Sequence, residues 1–475
     1  MASRLTDRRW QWARHIDYVN ERVTAGIIRG NARIIICEPP GHGKSEYMSH
    51  WTPAWFLEHW PWKKVMLGSY GQSLASGFGR LVRDTIQEHE RRLRVRVRAD
   101  STAADEWLTT AGGGMMSRGT DGVFTGKRGH LLLIDDPVKN AEEAFSDAYQ
   151  MKVWRWWDAT AATRLEPGAS VIITHTRWTP GDLIGRLLEQ QKEQANRPDR
   201  IPWEVINLPA MAEEDDALDR RVGEALWPQR WPIDELRRIR AERGSWVWAA
   251  LYQQRPAPIE GGLFKREWFK ITDRLPTGLT KVVRHWDLAA SEAAAGSDPD
   301  YTVGVKMGRS GDGPIFVLDA VRGRWSADAV ERIVAQTAAV DGIAVAQRME
   351  QEPAAAGKSL ISYYARKILA AFDFRGVIPS GDKVVRATPF AAACERGDVV
   401  LVNGPWVADF IEAHCNFPNA AHDDFVDAAS GGFQYLAADQ RDWTAADWGE
   451  VMQPQLAKKP TPMDKIREML KAGQK

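Results

Sequence analysis

A glycine-rich turn near the N-terminus has the residue types needed to hold a nucleotide. It follows the apolar run Arg33 to Cys37 and ends in a lysine and a serine. Backbone N–H groups of such a turn wrap phosphate oxygens, the lysine neutralises the β- and γ-phosphates, and the serine hydroxyl ligates Mg²⁺. Glu38 departs from the motif, because it stands where the first glycine is usual. The residues expected to bind the nucleotide are Pro40, Gly41, His42, Gly43, Lys44 and Ser45.

A second element of an ATPase follows at the acid pair Asp135 and Asp136. The apolar run 131–134 precedes the pair, and Pro137 follows it. In an open parallel sheet the C-terminal end of such a strand faces the ligand crevice. We therefore expect Asp135 to hold Mg²⁺ through water and Asp136 to polarise the attacking water. An acidic turn closed by Pro137 is the alternative. Together with the Lys44 loop, the pair indicates an ATPase that uses ATP and Mg²⁺.

Carboxylates also mark the ends of apolar elements in the second half of the chain. Asp287 and Glu350 each close an apolar run, and Asp423 and Asp424 begin a pattern typical of a helix. Carboxylates from three elements can bind two divalent ions about 4 Å apart, which activate water and stabilise the leaving oxygen of a phosphodiester. Oxygen ligands favour Mg²⁺ or Mn²⁺ over zinc. The set predicts a ribonuclease-H-like nuclease with these four acids as metal ligands, of which Asp287, Glu350 and Asp424 are catalytic.

Neighbouring acids leave the ligand set open at two positions. Glu352 competes with Glu350 for the second position, and Asp427 competes with Asp423 and Asp424 for the third. Taken singly, an acid of this kind is more often a solvated strand end or a helix cap.

The overall composition excludes several classes of protein. The chain has 475 residues with 63 basic and 63 acidic side chains, so any nucleic acid must be met by local patches rather than by a global charge. Its three cysteines have no metal or disulfide spacing, as expected in a reducing cytosol. No apolar segment has the length of a membrane span or the character of a signal peptide. We expect a soluble intracellular protein of two or more domains with no membrane partner.

Regular elements must position these residues, and the first half alternates apolar strands with amphipathic helices, as parallel α/β sheets do. Strands are expected at 33–37, 64–69, 131–135 and 170–174, and helices at 45–58, 72–91, 141–162 and 180–194. Residues 1–255 are therefore assigned to a P-loop ATPase domain with a parallel sheet. The Pro- and Gly-rich segment that follows is assigned to a linker over 256–270.

A different order of elements follows the linker. Strands are expected at 281–287, 302–308, 315–321 and 342–349, and a helix at 327–340. Three consecutive strands before the first helix differ from the first half, so this is a second α/β domain and not a repeat. Residues 271–440 are assigned to the ribonuclease-H-like nuclease domain, and 441–475 to a mobile basic tail.

These motifs, in this order, resemble the large terminase subunits of tailed double-stranded DNA bacteriophages. The similar blocks are 39–45, 133–139, 176–178, 252–256, 350–353 with 357–358, and 422–424. The resemblance implies a packaging ATPase joined to a nuclease that cuts concatemeric DNA when packaging starts and ends. It also implies double-stranded DNA, a portal protein, a small terminase subunit and further copies in a ring, typically a pentamer on a procapsid, as partners. Such a protein acts in the host cytoplasm, transiently at the portal, and is not part of the mature virion.

The resemblance adds residue roles that the sequence alone does not reveal. Family motors complete each ATP site with an arginine from a neighbouring subunit, and Arg118 is the first candidate for this catalytic role, before Arg80, Arg83 and Arg128. Residues 173–177 match the segment that couples ATP hydrolysis to movement in the family. Many family members carry Asp-Glu where this chain has its two aspartates.

An arginine-rich segment and two rival functions complete the sequence interpretation. Residues 91–98 alternate arginine with apolar residues, which predicts a strand that presents guanidiniums to DNA or to a neighbouring subunit, or an edge strand protected by charge. A helicase is one rival, but it would need a second ATPase-like half, and the acids after residue 280 argue against it. The other rival is a non-catalytic scaffold that keeps the phosphate loop only for structure.

Overall fold

The computed structural model describes residues 1–438, apart from 7–9, 123, 125, 199, 257–261, 290–299, 310, 312, 353, 380, 420 and 421. The tail expected at 441–475 lies outside the described residues, as does part of the expected linker. Within the described ranges, no helix combines the length and apolar character that crossing a membrane requires.

The N-terminal half builds one sheet with helices on both faces. Its strands are Arg33–Cys37 (β1), Lys64–Ser69 (β2), Val97–Thr102 (β3), Glu106–Thr109 (β4), Gly114–Gly119 (β5), Gly129–Asp135 (β6), Leu165–His175 (β7) and Glu204–Asn207 (β8). Its helices are Ala2–Leu5 (α1), Arg14–Arg29 (α2), Thr52–His59 (α3), Gln72–Glu88 (α4), Ala141–Phe145 (α5), Asp147–Trp156 (α6), Leu183–Glu193 (α7) and Ile233–Val247 (α8). Short π-helical turns at Glu46–Trp51, Trp157–Ala161 and Trp248–Tyr252 adjoin α3, α6 and α8.

The strand order of this sheet is β3-β4-β5-β2-β6-β7-β1-β8. The six strands from β5 to β8 in that order run parallel, while β3 and β4 pair antiparallel at one edge. The register sets Ser69 beside Asp135, and Asp135 beside Thr174. The C-terminal ends of β2, β6 and β7 therefore meet where a parallel sheet holds its ligand.

Continuous apolar runs build this sheet because its central strands are covered on both faces. Along β1, Ile34 packs into one core and Ile35 into the other, and Leu131 and Leu132 divide in the same way on β6. A parallel strand between two helical layers reads as an unbroken run of aliphatic residues. This is the pattern from which the sequence predicts these strands.

The predicted elements of the first half are largely confirmed. The strands expected at 33–37 and 64–69 have the expected ends, and the other two extend by a few residues. The helix expected at 141–162 is interrupted at Ser146, whose hydroxyl accepts a hydrogen bond from the Tyr149 N–H and caps α6. The short strands β4, β5 and β8 are not predicted.

The strand predicted over 91–98 is wrong for most of its length, since β3 begins only at Val97. Leu93 and Val95 are nevertheless buried, because the backbone N–H groups of Arg94 and Val95 donate to Glu58 and hold the segment against the domain. The arginine side chain of Arg94 is exposed between them. Buried apolar residues and exposed arginine therefore alternate as predicted, although most of the segment is not a strand.

The C-terminal half builds a mixed sheet. Its strands are Lys270–Thr272 (β9), Lys281–Asp287 (β10), Thr302–Arg309 (β11), Ile315–Gly323 (β12), Ala346–Glu350 (β13), Phe374–Val377 (β14) and Val399–Val402 (β15). Its helices are Ala327–Asp341 (α9), Ala355–Tyr363 (α10), Lys383–Arg396 (α11), Val407–Asn416 (α12) and Asp424–Ala437 (α13). The strand order is β14-β13-β10-β11-β12-β15-β9.

Strand β10 is an inner strand of the sheet, antiparallel to β11 and parallel to β13. Trp286 pairs with Met349, so the following residues, Asp287 and Glu350, end adjacent strands on the same side. Helix α13 packs across β10 and β11. The three strands predicted before residue 330, the helix after them and the helix after Asp423 are confirmed, while β13 starts four residues later than predicted.

The two halves of the chain remain in contact at their boundary. Leu263 and Phe264, which fall in the expected linker, are buried in the C-terminal core. Helix α11 packs against α8 of the N-terminal half, where the Ser245 N–H donates to Glu395 at 2.8 Å. The two halves thus share a contact surface.

Candidate functional sites

The phosphate loop between β1 and the helical segment after it has the backbone expected of an anion cradle. Gly41 and Gly43 have φ values of +74° and +103°, which side chains with a Cβ rarely adopt. A Cβ on Gly41 would lie 2.7 Å from the Trp231 ring, whose Nε1–H donates to the Gly41 carbonyl at 3.1 Å. Trp231 also stacks on His42 with ring centres 5.9 Å apart. The loop is therefore fixed from outside by a distant tryptophan.

Lys44 connects this loop to the acids at the end of β6. Its Nζ lies 2.9 Å from Asp136 Oδ2 and donates to Thr176 Oγ1 at 2.6 Å. Burial opposes the charged lysine, but Asp136 and Asp135 outweigh it and raise the pKa of Lys44. The expected grouping of Lys44 with the acid pair is present in the structure.

The two acids occupy different environments. Burial opposes ionisation of Asp136, but Lys44, His175 and the Thr176 N–H lower its pKa. Asp135 accepts a hydrogen bond from Ser45 at 3.2 Å, and burial together with the Asp136 charge raises its pKa. One acid is thus held as an anion beside a lysine, and the other lies under the hydroxyl that the sequence assigns to Mg²⁺.

Two further hydroxyls complete the surroundings of Asp135: the sequence gives no signal for Ser49, and it marks Thr174 only as part of the coupling segment 173–177. Ser49 Oγ donates to its Oδ2 at 2.7 Å and Thr174 Oγ1 to its Oδ1 at 2.9 Å. Both lie on elements that the motif does not include, so only the register of β6 and β7 and the turn after the loop bring them here.

A buried polar group beneath the loop also escapes sequence reasoning. Glu38 is fully buried, accepts a hydrogen bond from the Tyr47 hydroxyl, and has Oε1 3.4 Å from His15 Nε2. The same His15 nitrogen lies 3.0 Å from the carbonyl oxygen of His42, to which it donates. The departure from the glycine motif at residue 38 is the one sequence signal that this network leaves.

The second acid cluster forms at the ends of β10 and β13. Burial and then the charges of Glu350, Asp427 and Asp424 raise the pKa of Asp287 well above its ordinary value. Burial raises the pKa of Glu350 as well, although Arg386 opposes it. Asp287 and Glu350 end adjacent strands, and helix α13, which carries Asp424 and Asp427, packs across β10, so the four acids lie in one region of the C-terminal half.

The acids at the start of α13 divide into two groups. Asp423 is paired with Lys383 Nζ at 2.6 Å, and Asp427 is paired with Lys383 at 3.0 Å and with Arg386 at 2.5 Å. Asp424 is 6 % exposed, and its Oδ2 has no hydrogen-bond partner among the described residues. The acid that keeps an unpaired oxygen is therefore Asp424, while the cations of α11 hold the other two.

The donor set fits a divalent cation. Ligand atoms of Asp300, His422 and Asp424 lie within 4.8 Å of one another, and Asp424 is the buried member of this group. Buried carboxylates that raise one another's pKa are stabilised by a cation, and their oxygens suit Mg²⁺ or Mn²⁺. Glu352, the alternative to Glu350, has an exposed side chain.

Of the arginines considered for a neighbouring ATP site, Arg118 lies on β5, Arg80 and Arg83 lie on α4, and Arg128 directly precedes β6. Arg118 donates to Asp105 Oδ2 at 2.9 Å and to Glu106 Oε2 at 3.0 Å within its own chain. Arg83 pairs with Asp84, Arg128 donates to the Leu165 carbonyl, and Arg80 is exposed.

Two family profiles match the chain. One is described as terminase large subunit, T4likevirus-type, N-terminal, and covers residues 35–271. The other is described as terminase RNaseH-like domain and covers residues 284–435. The chain therefore belongs to the terminase large subunits, a family that packages phage DNA with an ATPase domain and a nuclease domain. The predicted family, and the predicted α/β fold with a P-loop ATPase domain and a ribonuclease-H-like domain, are confirmed.

One solved structure agrees with this chain at the level of the fold. The large terminase of a thermophilic bacteriophage aligns with a TM-score of 0.50 and 12% identity over 91% of this chain and 99% of that chain. The large terminase of bacteriophage HK97 aligns with a TM-score of 0.31 and 12% identity over 84% of this chain and 80% of that chain. Among curated proteins, none matches the chain.

Proposed function

We propose that this chain is the motor and nuclease of a phage packaging machine, in which ATP hydrolysis drives double-stranded DNA into a procapsid and a two-metal endonuclease cuts the concatemer. The observation that carries the proposal is that two separate acid clusters lie at the C-terminal ends of parallel strands, and that one of them is joined to a phosphate loop through Lys44. Family membership supports the pairing of the two activities.

In the ATPase half, residues 40–45 bind the phosphates of the substrate ATP. Lys44 moves from Asp136 to the β- and γ-phosphates, since phosphate offers it more negative charge than one carboxylate does. Asp136 is then left as an ionised base for the attacking water, still held by the Thr176 N–H at 3.0 Å. Ser45 and Asp135 hold Mg²⁺.

Movement of Lys44 would also connect the ATP site to residues 173–177, the proposed coupling segment. Lys44 releases Thr176 when it leaves Asp136, because both contacts depend on the same ammonium group. Thr176 precedes Arg177, which pairs with the N-cap of α7, Asp182, at 2.8 Å. We infer that the segment senses the γ-phosphate through this lysine.

In the nuclease half, Asp287, Glu350 and Asp424 are the metal ligands and the catalytic acids. Mg²⁺ or Mn²⁺ bound there would activate water and stabilise the leaving oxygen. Asp427 is a positioning residue, because Arg386 and Lys383 already satisfy it. Asp423, predicted as a metal ligand, is likewise assigned a positioning role, because it is paired with Lys383.

The partners follow from the packaging role. The chain assembles as a ring, proposed to be a pentamer, on the portal protein of a procapsid, receives DNA through a small terminase subunit, and leaves before the virion matures. It acts in the host cytoplasm. Arg118 is proposed to complete the ATP site of a neighbour, which requires it to exchange Asp105 and Glu106 for nucleotide phosphate in the ring.

A reciprocal pair of variants of the full chain tests both activities. Lys44→Ala is expected to lose ATP hydrolysis and keep plasmid cleavage with Mn²⁺, and Asp287→Ala is expected to do the reverse. Lys139→Ala is the matched control, because Lys139 is exposed just beyond the acid pair. Wild-type protein with neither activity, alone or with procapsids, would support the scaffold role instead.

A further inference from the structure

Two adjacent glutamines, Gln253 and Gln254, follow the π-helical turn that continues α8 at the end of the ATPase half. Both side chains are buried, with Gln253 4 % exposed and Gln254 3 % exposed. Gln253 binds the backbone of Met211 twice, since its Nε2 donates to the carbonyl at 2.9 Å and its Oε1 accepts from the N–H at 3.0 Å. Gln254 binds the coupling segment of the ATP site instead. The two side chains therefore anchor two different parts of the N-terminal half.

Gln254 holds the backbone of the coupling segment through its amide oxygen. This Oε1 accepts a hydrogen bond from the Arg177 N–H at 3.2 Å, and the Nε2 of the same amide donates to the Leu251 carbonyl. The preceding N–H of the segment, that of Thr176, donates to Asp136 at 3.0 Å. Two consecutive backbone N–H groups are thus held by two separate acceptors, so the backbone around Thr176 has a fixed orientation.

The backbone of Gln254 has a conformation that glutamine rarely adopts. Its φ is +56°, in the left-handed region. Among the described residues other than glycine, positive φ values otherwise occur only at Asn31, Asp136, Asp215 and Asp219. Asn and Asp tolerate this region because their short polar side chains hydrogen-bond locally, whereas a longer side chain carries a conformational cost. The backbone alone favours glycine or asparagine there, so the reach of the glutamine amide is the feature that explains this residue type.

We propose that Gln254 is a positioning residue of the ATPase, which keeps the Thr176 N–H on Asp136 while water attacks the γ-phosphate. The inference rests on the proposed ATPase function. Lys44 leaves the Thr176 hydroxyl when it moves to the phosphates, so that contact is lost before hydrolysis. The bond from the Arg177 N–H to Gln254 does not involve Lys44 and remains. Asp136 therefore keeps the donor that orients its carboxylate toward the attacking water.

Steady-state ATP turnover of the full chain, measured by phosphate release with procapsids present, tests this role. Gln254→Asn keeps an amide and suits a left-handed backbone, but it withdraws the oxygen from the Arg177 N–H. We expect kcat to fall about 10-fold and KM for ATP to change by less than about 2-fold, because residues 40–45 bind the phosphates. Gln254→Glu retains an oxygen at the same reach and should recover part of kcat. Gln253→Asn is the matched control with unchanged kcat, since it shortens a buried amide that binds Met211.

Hydrogen–deuterium exchange gives a second measurement that does not depend on catalysis. The exchange of peptides that contain Thr176 and Arg177 is compared in the wild type and in Gln254→Asn, with Mg²⁺ and the non-hydrolysable analogue AMP-PNP. Faster exchange is expected in these peptides and not in those of β6. The affinity for AMP-PNP should be unchanged, because Gln254 lies outside the phosphate loop.

The outcomes separate this role from the ATPase proposal. Unchanged exchange, or faster exchange with unchanged kcat, would overturn the positioning role even if the wild type hydrolyses ATP normally. An equal loss of kcat in Gln253→Asn would also overturn it, because the effect would then follow from lost packing at the glutamine pair. A wild-type chain that hydrolyses no ATP with procapsids would instead overturn the ATPase proposal, and the positioning role with it.

Discussion

The two acid clusters of this chain lie at the same kind of place but carry different charge environments. Both form where parallel strands end, Asp136 directly after β6 and Asp287 as the last residue of β10. Lys44 lies 2.9 Å from Asp136, and the pKa of that acid is lowered. Asp287 faces Glu350, Asp427 and Asp424, and its pKa is raised.

The difference indicates what each site requires before it can act. In the ATPase cluster Lys44 already compensates the charge of Asp136, so the site is assembled without a ligand. Substrate binding has only to move the Lys44 ammonium group from Asp136 to the phosphates. In the nuclease cluster the nearest cations, Lys383 and Arg386, are occupied by Asp423 and Asp427. A divalent cation would therefore relieve the repulsion that raises the pKa values of the inner acids. One site is preassembled, and the other depends on metal.

Removing the resident lysine should have the largest effect. Lys44→Ala is expected to lower ATP turnover by about 10²-fold or more, because alanine cannot replace the positive charge that the phosphate loop supplies to the β- and γ-phosphates. Turnover is measured by phosphate release with procapsids present, beside the Lys139→Ala control. Near-normal hydrolysis would contradict the conclusion that the ATPase site is built around Lys44.

Removing one inner acid should have opposite effects on nuclease activity and stability. Asp287→Asn is expected to abolish Mn²⁺-dependent cleavage and yet raise the melting temperature in EDTA, since it relieves repulsion with Glu350 and Asp424. A gain of about 1 kcal/mol shifts the melting temperature of a domain of this size by roughly 2–4 °C. Glu352→Gln, which changes an exposed acid, is the control. A lower melting temperature for Asp287→Asn would contradict the repulsion.

The pH dependence of stability should sharpen the comparison further. Asp287 and Glu350 have raised pKa values in the folded chain, so the folded state binds more protons than the unfolded state above the ordinary values of 3.8 and 4.5. The free energy of unfolding contributed by these acids therefore falls as pH rises from there through the raised pKa values. Mg²⁺ should reduce this fall. Thermal unfolding at several pH values, with EDTA or Mg²⁺, measures it, and Asp287→Asn should show a weaker dependence.

Sequence reasoning reaches the two clusters because each acid ends an apolar strand. Asp135 and Asp287 are recognisable for this reason, and the parallel order of strands then brings acids far apart in sequence together. Side chains that join from other elements leave no such pattern. Ser49 and Thr174 reach Asp135 only through packing, and Lys383 is one lysine among many until α11 is placed against α13. Periodicity identifies strand ends, whereas ion-pair partners depend on tertiary contacts.

The smallest predicted effect concerns His15, which is buried beneath the phosphate loop. His15 Nε2–H donates to the His42 carbonyl at 3.0 Å, so His15→Ala should loosen the loop without touching the reacting atoms. One hydrogen bond is worth about 0.5–1.5 kcal/mol, which corresponds to an increase in KM for ATP of roughly 2- to 10-fold at nearly constant kcat. His15→Gln should recover part of the loss, because its amide can still donate, and His59→Gln, an exposed histidine, is the control. A fall in kcat at constant KM would instead assign His15 to the chemical step, and the ATPase site would then depend on more than its resident lysine.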